Sequence, residues 1–247
     1  EQYFDFLRKS GFECELSYII DEEADKFFYS SGNLLKKLGV LIRSFKIRSR
    51  DAKNYNNFDI VFVQREAMMI GTTRYERKVK KSRAKFVFDF DDSIWLMDTS
   101  AANKKWEWLK NPKKTEENIK LADLVFAGNK YLKDYALQFN NHVDLIPTTV
   151  DTDKFLPDYS RRNKDKIVIG WSGSITTIKH FQTAENMLLK LKEKFGDKIE
   201  FRVMGDETYL NERLKIKDLL EDSLQFNIHL DINHLSNLPT VIQQITN

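Results

Sequence analysis

The chain has 247 residues, of which 41% are hydrophobic, 31% charged and 13% aromatic, with only 9 Gly and 4 Pro. That composition excludes collagen-like, low-complexity and disordered classes and leaves one large or two modest folded domains. A single cysteine, Cys14, rules out an intrachain disulfide or a CxxC zinc site, and no run approaches the ~20 apolar residues of a spanning helix, so the expected setting is cytoplasmic. The net charge of +3 hides a local excess: residues 33–85 carry fifteen Lys/Arg against four Asp/Glu.

Residues 1–10 read as a helix with Tyr3, Phe4 and Leu7 turned inward, followed by a turn at Gly11, a strand over CELSYII (14–20) and the acidic run DEEAD. The basic stretch 34–50 then spaces Leu34, Leu38, Leu41 or Ile42, and Phe45 by three or four residues, with Lys36, Lys37, Arg43, Lys46 and Arg50 mostly on the other side. Such a basic amphipathic helix either packs on a sheet with a solvated outer face or lies as a peripheral contact on the inner face of an anionic membrane. Nucleic acid is not expected as a partner, because no interleaved aromatics or binding module accompany the charge.

FDIVFVQ (58–64), AKFVFDF (84–90), ADLVFAG (122–128) and VDLIP (143–147) are apolar runs of the kind that form parallel strands buried on both faces. Helices are expected between them at 66–80, 112–121 and 129–139, which makes an α/β domain with a parallel sheet over 1–157. After the polar linker 158–166 the alternation restarts. Strands at 167–171, 199–205 and 226–232 alternate with helices near 178–195, 208–221 and from about Leu238, giving a second, incomplete unit over 167–247. A Rossmann-like domain begins with a central strand, whereas this chain opens inside a helix and stops in one after three strands of its second unit, so the pattern predicts a fragment.

Two segments carry candidate chemistry. FDFDDSIW (88–95) sets Asp89, Asp91 and Asp92 at the carboxyl end of a strand, where open α/β sheets bind ligands. Alternation puts Asp89 and Asp91 on one face and Asp92 on the other, unless the chain bends at Asp91. Clustered carboxylates serve as general base, metal ligand or acceptor for sugar hydroxyls, with Asp91 and Asp92 the candidate catalytic pair. The competing reading is a cap and an ion pair with the basic region. Trp95, with Trp106 and Trp108, offers a ring for a sugar face or for core packing.

In IVIGWSGSITTIKHF (167–181), a strand enters a turn of small residues, Gly170, Ser172, Gly173 and Ser174, then Thr176 or Thr177 as helix cap, then Lys179 in the first helical turn. Small residues admit an anion to the backbone N–H groups, and the helix start and Lys179 supply positive charge, a phosphate-binding design or a plain strand-to-helix turn. Gly205 and Asp206 end the neighbouring strand, either lining the same crevice or forming a simple turn. The four histidines show no metal-ligand spacing and no GxSxG elbow occurs.

Taken in order, FDIVFVQRE, KFVFDFDDSIW, ADLVFAGNKYLKDYA, VDLIPTTVDTDKF, IVIGWSGSITTIKHF and FRVMGD resemble the GT-B glycosyltransferases of the family 4 type, from about Phe58 to Leu238. The resemblance implies two Rossmann-like domains, retaining transfer from a nucleotide-sugar donor to a polysaccharide or glycolipid acceptor, and no metal. It also implies an acceptor-side first domain and a donor-side second one. Gly173 and Lys179 match the Gly and Lys of the family's GRxxxxKG diphosphate motif, with Ser174 in its Arg position and His180 in its second Gly position. Asp91 and Asp92 occupy the place where many relatives carry a His, and the acidic ExxxxxxxE donor segment would follow Asn247. A non-catalytic nucleotide- or glycan-binding module is the other function class.

Overall fold

The computed structural model describes residues 3–28, 32–96, 110–157, 165–173, 182–204 and 224–226. The chain divides into two compact units, Glu1–Asp151 and Thr152–Asn247. Both are α/β with parallel sheets.

The first unit holds helices α1 (Phe4–Lys9), α2 (Glu22–Phe28) and α3 (Leu34–Asn54), then strand β1 (Ile60–Gln64), helix α4 (Arg74–Lys80), β2 (Lys85–Phe90), α5 (Lys113–Leu121), β3 (Leu124–Ala127), α6 (Lys130–Ala136) and β4 (Val143–Leu145). The strands pair in chain order, β1-β2-β3-β4, and every pairing is parallel. Phe86, Phe88 and Phe90 of β2 are wholly buried on one face with Val125, Ala127 and Val143. Val79 of α4, Ile119 of α5, and Leu132 and Ala136 of α6 pack onto them. That layer is the core of the unit.

Two expectations are corrected here. The run 58–64 is not buried on both faces: Ile60 and Phe62 are 50% and 53% exposed, and Val61 and Val63 half-buried. The core side chains of α4, α5 and α6 pack on the Phe86–Phe90 side, and on the other face the Phe62 ring meets only that of Phe126 among the described residues, centroids 6.1 Å apart. Residues 14–20 form no strand. Arg48 of α3 instead donates to the Ser17 carbonyl and hydroxyl, and the Ser17 hydroxyl donates to Asp51 at 2.6 Å, so side chains take the bonds a ladder needs. On α3, Lys37, Val40 and Ser44 are buried and Leu41 and Phe45 of the apolar stripe pack against the Ala67–Met68–Tyr75 cluster, while Leu34, Leu38 and Ile42 stand at least half exposed, so both readings of this helix stand.

The helix expected over 66–80 starts only at Arg74. Residues 66–70 are instead drawn onto a buried cation. Lys114, at the start of α5, donates to the carbonyls of Met68 and Ile70 and to Glu66 Oε2, the last two at 2.8 and 2.9 Å. The fully buried Glu76 accepts the Ala67 N–H at 3.0 Å. These side chains hold 66–70 outside an α-helix by binding its backbone groups in place of a helical ladder.

The second unit has β5 (Ile167–Ser172), α7 (Glu185–Phe195), β6 (Ile199–Met204) and β7 (Leu224–Phe226), a parallel sheet of order β5-β6-β7. Ile199 and Phe201 are buried, and so is Leu188 of α7. The helices expected near 208–221 and from Leu238 lie outside the described residues. Among the described residues no helix is long and apolar enough to cross a membrane.

Candidate functional site

Parallel strands end on the same edge of a sheet, so the residues just past β1 and β2 meet at its carboxyl edge. The register aligns Gln64 with Asp89. Arg65 and, past the last residue of β2, Asp91 then turn out of the sheet. Arg65 does so in the left-handed region, φ 60°, and its N–H donates to the Asp89 carbonyl at 2.7 Å. A non-glycine residue there is held at a cost of about 1 kcal/mol.

What holds it is a double ion pair. Arg65 Nε donates to Asp91 Oδ1 at 2.9 Å, and Arg65 Nη2 donates to Asp92 Oδ2. Strand β2 ends at Phe90, so alternation stops there and both carboxylates swing onto one guanidinium rather than to opposite faces. The ion pair of the competing reading is therefore what the structure shows, with Arg65, inside the basic region 33–85, as the cation. Asp91 is about one-third exposed and Asp92 about two-thirds. Each keeps a second oxygen that no described side chain binds.

Charges this close shape one another's proton affinity. Burial alone would lower the pKa of the Arg65 guanidinium, but its hydrogen bond and charge contact with Asp91, then those with Asp92, outweigh that and raise it. Asp89 is pushed up to about 6, chiefly by burial and then by the Asp91 charge, with Arg65 pulling the other way. A carboxyl group in that range exchanges protons near neutrality. It stands one residue inside the strand, beside the pair.

The supports of this edge were not legible as site residues. Gly128, after β3, lets the backbone approach: a Cβ there would lie 3.0 Å from the Asp91 Cα. Asn129 caps α6 by accepting the Leu132 N–H at 2.9 Å. Lys114 anchors Glu66, the neighbour of Arg65, to the 66–70 segment. The signal for Arg65 was present as a cation directly after one predicted strand, facing acids directly after the next.

Trp95 is committed to packing. Its indole lies flat on the Tyr135 ring, centroids 3.7 Å apart and planes within 4°, with Tyr131 at 5.9 Å and Phe90 edge-on at 6.2 Å. Trp106 and Trp108 lie outside the described residues. Of the predicted donor-side residues, Gly173 follows β5 directly and is half-buried. Ser174, Thr176, Thr177, Lys179, Gly205 and Asp206 lie outside the described residues. Among the described residues no group of three or more His, Cys, Asp or Glu is arranged to hold a metal ion. At the Asp91–Asp92 pair, the Arg65 guanidinium stands where a cation would be needed.

No protein-family model matches the chain, and no curated protein matches it at a significant level.

Proposed function

We propose that the chain works as a glycosyltransferase, passing a sugar from a nucleotide-diphosphate-sugar donor to a polysaccharide or glycolipid acceptor, with retention and without a metal. The observation that carries this reading is the Arg65–Asp91–Asp92 assembly at the carboxyl edge of a parallel sheet, where α/β folds place ligands. The two carboxylates are fixed by one guanidinium and each offers an oxygen to a sugar hydroxyl, so the pair orients an acceptor more than it removes a proton. Asp89, at about 6, is the group of this edge suited to proton exchange. On the donor side the reading rests on the sequence order of strand, small-residue turn and Lys179, which would meet the diphosphate.

One observation favours a second reading, a non-catalytic glycan- or nucleotide-binding module: both catalytic candidates are already ion-paired to the one Arg65 guanidinium. Thermal shift of the 247-residue chain against UDP-, GDP- and ADP-sugars tests the donor site. The proposal expects stabilisation by one nucleotide class, lost in Lys179→Ala. No shift with any of them, or a shift unchanged in that variant, would remove the donor-site assignment.

A further inference from the structure

Helices α3 and α4 carry a surface that the transferase reading leaves unused. Leu34, Leu35, Leu38 and Ile42 are 59, 84, 51 and 50% exposed. At 100° per residue they fall within one arc of roughly 100°, a stripe about 12 Å long, away from the buried arc of Lys37, Val40 and Ser44. Phe45 continues the same arc toward the C-terminus of α3, and there the helix meets α4. The Tyr75 hydroxyl donates to the Phe45 carbonyl at 3.2 Å and lies 3.0 Å from the Ser49 hydroxyl. The Lys78 ammonium sits over the Tyr75 ring, 5.9 Å from its centroid. The apolar stripe therefore leads to the basic helix.

Along α4 opens a concavity of about 390 Å³ lined by Thr72, Thr73, Arg74, Arg77, Lys78 and Lys81. No acid lines it. Arg77 is paired with Glu117, but Arg74, Lys78 and Lys81 have no acidic partner among the described residues. On α3, Arg43 pairs with Asp21, and Arg48 and Arg50 share Asp51, while on α4 Lys80 pairs with Asp123. Cations without an acidic partner among the described residues therefore stand on both helices, Lys36 and Lys46 on α3 and Arg74 and Lys78 on α4 with Lys81 just beyond it.

We propose that α3 and α4 form a docking surface for an anionic lipid bilayer, with the Leu34–Ile42 stripe entering the interface and Arg74, Lys78 and Lys81 holding headgroup phosphates. An apolar stripe ending in uncompensated cations matches the layering of a bilayer surface, acyl chains beneath and negative charge above. A second copy is the poorer occupant, because it carries the same basic surface and offers these cations no complementary charge, whereas a bilayer rich in acidic headgroups does. The inference stands apart from the transferase reading, and either can fail alone.

Co-sedimentation of the 247-residue chain with vesicles of phosphatidylcholine, and of phosphatidylcholine with phosphatidylglycerol, tests it at low and high salt. Binding is expected only to the anionic vesicles, weakening with salt. It should fall at least about tenfold in a variant combining Arg74→Glu, Lys78→Glu and Lys81→Glu, and also in one combining Leu35→Gln and Leu38→Gln. All five positions are on the surface, so circular dichroism should match the parent. Absence of phosphatidylglycerol-dependent binding overturns the proposal, and so does binding that survives both variants. A dimer in sedimentation velocity that Leu35→Gln and Leu38→Gln dissolve, without vesicle binding, assigns the stripe to a second copy. Stabilisation by inorganic phosphate without vesicle binding makes the concavity a free-anion site and equally overturns it.

Discussion

At the scale of single residues, Arg65 joins a strained backbone to a double ion pair, and the two contributions can be separated. Arg65→Ala and Arg65→Gly both remove the guanidinium, but only glycine is at ease at φ 60°. Urea denaturation should find Arg65→Gly more stable than Arg65→Ala by about 1 kcal/mol; equal stabilities would mean the left-handed conformation is not held in solution. Asp89 supplies a pH signature. Its folded pKa, about 6, lies above the usual 3.8, so the folded state binds its proton more tightly and this group's contribution to stability falls as pH rises between those values. Asp89→Asn should therefore gain on the parent from pH 4 to pH 6 and hold a constant advantage above, on the order of 1 kcal/mol after solvent screening. A stability difference between the two that does not change with pH would contradict the raised value. Asp91 and Asp92 were visible in the sequence as acids at a strand tip. Their partner was not, because Arg65 lies 26 residues away and meets them only through the β1–β2 register.

At the scale of elements, the apolar runs of the parallel strands were legible, since uninterrupted Val, Phe, Leu and Ile between polar ends leaves few alternatives. The segment after β1 was not. Periodicity over 66–80 suited a helix, yet the buried Lys114 ammonium and Glu76 carboxylate bind backbone groups of 67–70 and delay the helix to Arg74. Lys114→Met leaves Glu76, wholly buried, without its cation, and should cost about 3 kcal/mol in chemical denaturation. A loss below about 1 kcal/mol would show that the 66–70 segment is held by something else. The close approach of β2 and β3 makes a further test: Gly128→Ala drives a Cβ to 3.0 Å from the Asp91 Cα, backbone that cannot rotate away. It should cost about 1–2 kcal/mol and move Asp91, seen as a shifted Arg65 Nε–H resonance. The amphipathic period of α3 was legible as a helix, but not how far its apolar stripe packs, because periodicity finds such a stripe without saying what covers it: Leu41 and Phe45 pack on the Ala67–Met68–Tyr75 cluster while Leu34, Leu38 and Ile42 stay exposed.

At the scale of the molecule, alternating strands and helices gave the α/β class and the parallel sheets, and the strand order follows the chain in both units. What sequence order cannot give is the side of the sheet on which consecutive helices fall. All three helices of the first core lie on one side, which leaves Ile60 and Phe62 exposed on the other. In the proposed glycosyltransferase reaction, Asp91 and Asp92 act on the acceptor and Lys179 on the donor diphosphate. Its most direct test is release of nucleoside diphosphate from the stabilising nucleotide sugar, measured with and without a mixed glycan acceptor. The account predicts acceptor-stimulated release that drops at least about a hundredfold in the Asp91→Asn, Asp92→Asn double variant while donor binding stays intact, the loss expected when an orienting group is removed. Release that the acceptor does not stimulate, or that the double variant leaves unchanged, would contradict it.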